Sequence, residues 1–242
     1  MTKHTPNPLF NRATSICGFT GVAIIVLGSL VSGLSYRGRT DETYSLLNHF
    51  VSELGDARYA THAWAFNGGL LLGGVLLTVF MLGVTARIWG WFRYPFGLAA
   101  LITGVAGTLV GLLPMGNGLE SHAKAAMTFF NAGMATTILF SLYVLLWRDT
   151  SFSRWLALPG AVTAFSFFSL LYLVEPLIPE DKPDMPLTEA LEALLWNRPP
   201  IWQTAIVEWV VVLAVLGWVL AVSLYLYRLA HSRKAQPASE TT

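Results

Sequence analysis

Apolar positions along this chain run in long unbroken blocks, and the charges fall between them. Stretches free of Asp, Glu, Lys and Arg cover Ala13–Tyr36, Tyr59–Ala86, Tyr94–Leu119, Ala125–Trp147, Trp155–Val174 and, after the lone Glu208, Trp209–Tyr227. A bilayer core about 30 Å thick is crossed by about 20 apolar residues at 1.5 Å rise, and each stretch meets or approaches that length. The pattern predicts an all-α polytopic membrane protein, a bundle of six transmembrane helices.

Two shorter segments carry a helical period without the length to span. In Thr40–Gly55, Leu46, Leu47, Phe50, Val51 and Leu54 fall on one face, with Ser45, Asn48, His49, Ser52 and Glu53 on the other. Thr40 suits an N-cap and Gly55 a C′ position, so a short amphipathic outer helix is predicted after the first span. Leu187–Trp196 repeats the pattern, with Leu187, Leu191, Leu194 and Leu195 opposite Glu189 and Glu192. Before it, Pro176, Pro179, Pro183 and Pro186 exclude a regular helix and predict an extended loop.

Composition agrees with the pattern. Hydrophobic residues make up 54% of the 242 and charged residues only 12%, a balance that excludes an ordinary soluble domain. The formal net charge of +1 gives no clustered basic surface, so nucleic acid is not an expected partner, whereas membrane lipids are. Cys17, the single cysteine, falls inside the first span and permits no intrachain disulfide. The first apolar run is too long for a signal-peptide core, so an uncleaved first helix is expected. The chain divides into a segment 1–12, a transmembrane domain 13–228 and a tail 229–242. Gly69 with Gly73, and Gly104, Gly107, Thr108 and Gly111, form small-residue faces that favour tight packing inside the bundle.

The charges also sort by side. With six spans, nine of the 15 Lys and Arg residues share the side of both termini, where the only acids are Asp149 and Glu240. The other side holds six Lys and Arg beside twelve acids. Because Lys and Arg in short loops favour the cytoplasm, both termini are expected there, in the inner (plasma) membrane. Trp89, Trp91, Trp147, Trp155, Trp196 and Trp202 fall at span ends, as interfacial rings do.

Three of the five histidines, His49, His62 and His122, map to the outer end of the bundle. Ser52, Glu53, Asn67, Lys124 and Glu208 map there as well and complete a candidate outer polar pocket; Asp56, Asn117, Glu120 and Glu175 lie nearby. Glu208 is the deepest, several residues inside the last span, where an acid is costly unless paired or facing water. His49 and Glu53 stand four residues apart and would share a helical face. That spacing suits a metal, a proton relay or a head group, but equally a solvated surface. His49, His62 and His122 are the only metal candidates, and nothing in their spacing makes them converge. A phosphate loop, an HExxH helix, a G-x-S-x-G elbow and a C-x-x-C pair are all missing from the sequence.

Asn48-His49-Phe50-Val51-Ser52-Glu53-Leu54-Gly55, followed by Phe66-Asn67-Gly68-Gly69-Leu70, resembles the bacterial and archaeal membrane proteins of domain-of-unknown-function family 998. In that family an S-[DE]-L-G motif follows the first helix and a Phe–Asn pair opens the next; Ser52 to Gly55, Phe66 and Asn67 match, and His122 fits a histidine at the start of helix four. The resemblance covers Ala13 to about Arg228 and implies the six-helix fold. A looser similarity runs to DRAM-type and GPI-remodelling six-helix proteins, whose work in lipid biology implies lipid. The leading expectation is therefore engagement of a lipid head group or lipid-linked substrate. A membrane-embedded metal-dependent hydrolase, an ion- or proton-coupled transporter with Glu208 as the titrating group, and a non-catalytic scaffold remain open alternatives. Cofactor, reaction and oligomeric state are not legible.

Overall fold

The computed structural model describes residues 7–147, 150–174, 177 and 184–232. Seven α-helices form among them: α1 Pro8–Leu34, α2 Ala63–Thr85, α3 Arg93–Leu112, α4 Leu119–Leu146, α5 Ala157–Tyr172, α6 Leu187–Trp196 and α7 Gln203–Ser232. All but α6, with short 3-10 turns extending α3 and α5, are long and apolar enough to cross a membrane. Most of the Pro-rich stretch, Glu175, residues 1–6 and the tail from residue 233 lie outside the described residues.

The six long helices close into a ring. Each packs on two others, in the order α1, α2, α3, α4, α5, α7 and back to α1. Large side chains such as Leu27, Leu72, Leu98 and Leu213 cover the outside and are exposed. A soluble protein would not leave so much apolar surface in water. Small residues let the helices close on one another, as their spacing predicts. Gly28 of α1 lies so near α2 that a Cβ on it would sit 2.4 Å from the Ala65 carbonyl oxygen, and Gly73 faces Gly21. In lipid such backbone approach replaces the hydrophobic driving force between helices.

One end of the ring is capped. The strap 35–62 leaves α1, and its base is closed where Tyr36 and Ala60 form an antiparallel bridge, with the Arg37 N–H donating to the Tyr59 carbonyl at 2.7 Å. The short α6 lies over the same end and buries Leu191 and Leu195 against Phe50, Met115 and Trp202. Glu189 and Glu192 stay exposed, as the period of Leu187–Trp196 predicts.

The strap corrects the expectation of a continuous amphipathic helix over Thr40–Gly55. Helical geometry is confined to a 3-10 turn, Val51–Gly55. Upstream, Asp41 takes φ of 61°, and Thr40 donates through its N–H and hydroxyl to the Glu42 carboxylate instead of capping a helix. Left-handed backbone at Asp41 stops a helix before its first turn. The apolar positions still divide: Phe50, Val51 and Leu54 are buried, while Leu46 and Leu47 are exposed.

Candidate functional site

A buried ion pair fastens the cap. The Arg198 guanidinium, between α6 and α7, donates from Nη1 to Glu53 Oε1 at 2.9 Å and from Nη2 to Oε2 at 2.6 Å. The Tyr36 hydroxyl donates to Oε2 at 3.0 Å and the Phe50 N–H to Oε1 at 2.8 Å. Glu53 therefore has four donors on its two oxygens, with side-chain exposures of 3% for Glu53 and 9% for Arg198. Burial works against the Arg198 cation, but Glu53 more than offsets it and raises its pKa; burial, then Glu53, pushes the Tyr36 phenol up. A carboxylate so fully bonded is a structural anchor.

Leu54, Gly55, Phe66 and Asn67 of the motif join the same anchor, while Ser52 turns away from it. The Leu54 carbonyl accepts from the Ser32 hydroxyl at 2.6 Å, and the Gly55 carbonyl from Asn67 Nδ2 at 2.9 Å. A Cβ on residue 55 would lie 2.4 Å from Asn67 Oδ1, so only glycine lets the asparagine approach. Phe66 packs with Val51 and Leu54. The S-E-L-G and Phe–Asn elements are thus two halves of one joint between the strap and α2.

His49 lies inside the cap, buried between Tyr36 and Tyr44, with ring centroids 5.1 Å from each. The Ser45 N–H lies 3.2 Å and Asn48 Oδ1 2.8 Å from Nδ1, so the tautomer decides which of the two bonds forms. Among the described residues Nε2 has no hydrogen-bond partner, and Glu42 Oε1 is 3.6 Å away. Burial, only partly countered by Glu53 and Glu42, depresses the His49 pKa and keeps the ring neutral at neutral pH. Burial likewise works against the Glu42 charge, but bonds from Thr40 bring its pKa down to about 2.

Below the cap, within the ring, runs a cavity of about 130 Å³. Along α2 it is lined from Phe66 to Met81, and along α7 from Glu208 to Val219, which is about 16 Å of helix axis. Its walls are apolar except at the capped end, where Ser52, His122 and Glu208 line it. Thr103 and Ser29, further along, are bonded to carbonyls of their own helices. Glu208 Oε2 accepts the Val51 N–H at 2.8 Å, capping the 3-10 turn, while Oε1 has no protein donor among the described residues. His122 Nδ1 lies 2.7 Å from the Leu113 carbonyl, which can only accept; Nδ1 therefore carries the proton, and Nε2 keeps a lone pair in the neutral ring. Ser52 makes only a weak 3.6 Å contact to the Met115 sulfur.

The candidate pocket residues thus divide among three surroundings. Ser52, His122 and Glu208 share the cavity; His49, Glu53 and Asn67 belong to the cap and its joint. His62 is exposed at the start of α2, its N–H bonded to the Ser35 hydroxyl, and Lys124 is exposed and paired with Glu120. Among the described residues, no three of His, Cys, Asp and Glu gather as a metal site. The residue that sequence reasoning missed as a partner is Arg198. Its signal was slight: an arginine in a short link on the acidic side, matched against an acid in a motif.

No curated protein matches the chain, so the looser similarity to DRAM-type and GPI-remodelling proteins finds no counterpart there, and no solved structure matches it. The family model described as "Protein of unknown function (DUF998)" matches residues 19–225, most of the ring and its cap, and the chain belongs to that family.

Proposed function

We propose that this integral membrane protein takes up the apolar chain of an amphiphile or lipid-linked substrate in the ring cavity, with the polar end at Ser52, His122 and Glu208. The observation that carries the reading is the union of a long apolar slot with three polar groups confined to its capped end. Ligand sites have this composition, mostly apolar with a few converging polar groups. The volume, about 130 Å³, compares with the roughly 150 Å³ apolar cavity that accepts a benzene-sized guest. Drawn out along α7, such a slot holds a short stretch of one slim chain and not a two-chain lipid body. No Lys or Arg lines it, so the polar end favours hydrogen-bond donors such as hydroxyls. The metal-dependent hydrolase gains no support from histidines in three separate surroundings.

The test is binding of a dansyl-tagged dodecyl alcohol to purified protein in maltoside micelles. Val215→Trp, which fills the slot, should weaken binding at least about tenfold, as loss of a buried apolar contact surface does. Val215→Leu should weaken it less. A folded Val215→Trp protein with the parent's affinity would sink the reading.

We also propose that the capped end faces outward, because the Lys and Arg bias favours cytoplasmic termini. In a Cys17→Ser background, a cysteine at position 57 should react with an impermeant thiol reagent on intact cells and one at position 235 should not. Labelling at 235 alone would reverse the orientation.

A further inference from the structure

A second cavity, of about 220 Å³, lies between the strap, the 3-10 turn Met115–Asn117 and α6; Arg39, Arg58, Thr188 and Glu192 give it a polar side, and Met115, Leu119, Leu191 and Leu195 an apolar one. Arg39 is its least satisfied member. The side chain is only 4% exposed, yet its carboxylate partner, Glu192 at 2.9 Å, is 52% exposed. Its Nε is buried without a hydrogen-bond partner among the described residues, and the guanidinium rests against the rings of Tyr59 at 4.7 Å and Trp196 at 5.3 Å. A buried cation held by two ring faces and one half-exposed acid is short of acceptors, and buried donors rarely remain so.

Two more groups of the same sign face this chamber. Arg58 grips the buried Asp56 through Nε and Nη2, with Nη2 to Oδ2 at 2.7 Å, and its side chain is half exposed. The 28-residue α4 begins here at Leu119 after Gly118, with no side-chain cap. Its first turn holds one acid, Glu120, which is paired with Lys124, and among the described residues no side chain caps the first-turn N–H groups, which leaves them for an anion. As it stands the chamber is electrically balanced, two arginines against Asp56 and Glu192. Asp56 is fixed, since Oδ1 also accepts the Arg58 N–H at 3.0 Å. Glu192, on the outer face of the ten-residue α6, is the replaceable member.

We propose that this chamber binds a phosphate oxyanion, free or as the phosphomonoester head of an amphiphile, which displaces Glu192 from Arg39 and bridges Arg39, Arg58 and the start of α4. Guanidinium pairs and helix starts are the donors that tetrahedral oxyanions select. The free anion needs the chamber alone and does not rest on the slot reading. The amphiphile form needs both: Met115 lines the chamber and touches Ser52 of the slot, so a flexible thioether is the wall between them.

The experiment is isothermal titration of the full chain in maltoside, at constant ionic strength in phosphate-free buffer, with inorganic phosphate and then dodecyl phosphate. Glu192→Gln keeps the side chain's size and removes the competing charge, so it should tighten phosphate binding about fivefold. Arg39→Gln should weaken it at least about tenfold. Dodecyl phosphate binding more than about tenfold tighter than phosphate, with Val215→Trp erasing the difference, marks a lipid head group; equal affinities mark a soluble anion. Phosphate affinity unchanged by Glu192→Gln, or no binding in either protein, overturns the proposal even if Arg39→Gln fails to fold. Loss of the dodecyl alcohol with phosphate binding intact would instead remove only the slot.

Discussion

Replacing Arg198 with methionine lowers stability by about 3–5 kcal/mol, because it strands the Glu53 carboxylate in the cap with only two of its four donors. The Tyr36 hydroxyl and Phe50 N–H remain, but neither carries charge. Glu53→Gln errs in the other direction and leaves a guanidinium that is 9% exposed without its counter-ion. Combining the two removes both charges, so the double variant should regain much of what either single change loses, the signature of coupled partners. Thermal unfolding in detergent reads the effect, with a midpoint shift on the order of 10 °C for the Arg198 change. The cap should loosen before the ring, since Arg198 also holds the Asn48 carbonyl and the Trp202 N–H holds that of Leu47. Protease nicking within 40–50 at temperatures where the spans stay intact would show it. A single Arg198→Met variant that melts with the parent would mean that the pair only breaks even against burial.

The spans were legible because lipid imposes one constraint on every residue between two loops. Each charge-free run falls on a helix that extends past it or stops short by a few residues. Helix α4, for instance, begins at Leu119 and carries Glu120 and Lys124 in its first turns, beyond the apolar run Ala125–Trp147. The α6 period was equally readable, because Leu191 and Leu195 needed only a local helix to reach the cap. Thr40–Gly55 shows the same apolar spacing but a different outcome. Beside its local turns it depends on distant partners, the Val51 N–H on Glu208 and the Leu47 carbonyl on the Trp202 N–H, and no window of local sequence contains those partners. For the candidate site, topology fixed depth and not direction. His62 and Lys124 reach the expected end yet face away from the cavity, whereas Ser52, His122 and Glu208 reach the same end and line it. Glu53 looked chemical from its motif, and the loop arginine that makes it structural lies 145 residues away along the chain.

Widening Gly28 should be the most damaging single change in the ring. Helices α1 and α2 meet over several turns, and at Gly28 the neighbour is backbone: a Cβ would lie 2.4 Å from the Ala65 carbonyl oxygen and 3.1 Å from its carbon. A side-chain tip could swing aside, but a carbonyl bonded within α2 cannot move without the helix. Gly28→Val must therefore push α1 and α2 apart along their length, and in lipid no hydrophobic effect draws the separated faces back. Overpacking of this kind costs about 1–3 kcal/mol where side chains can adjust, and more where backbone must shift. The displacement also reaches the strap, since α1 donates from Ser32 to the Leu54 carbonyl and α2 from Asn67 to that of Gly55. Loss of monodisperse protein after detergent extraction is the expected readout for Gly28→Val. Gly217→Val is the matched control, because a Cβ at Gly217 meets nothing within 4 Å and the helix is equally apolar. Equal recovery of the two variants would mean that α1 and α2 do not pack this closely in the membrane, and the ring would lose its tightest contact.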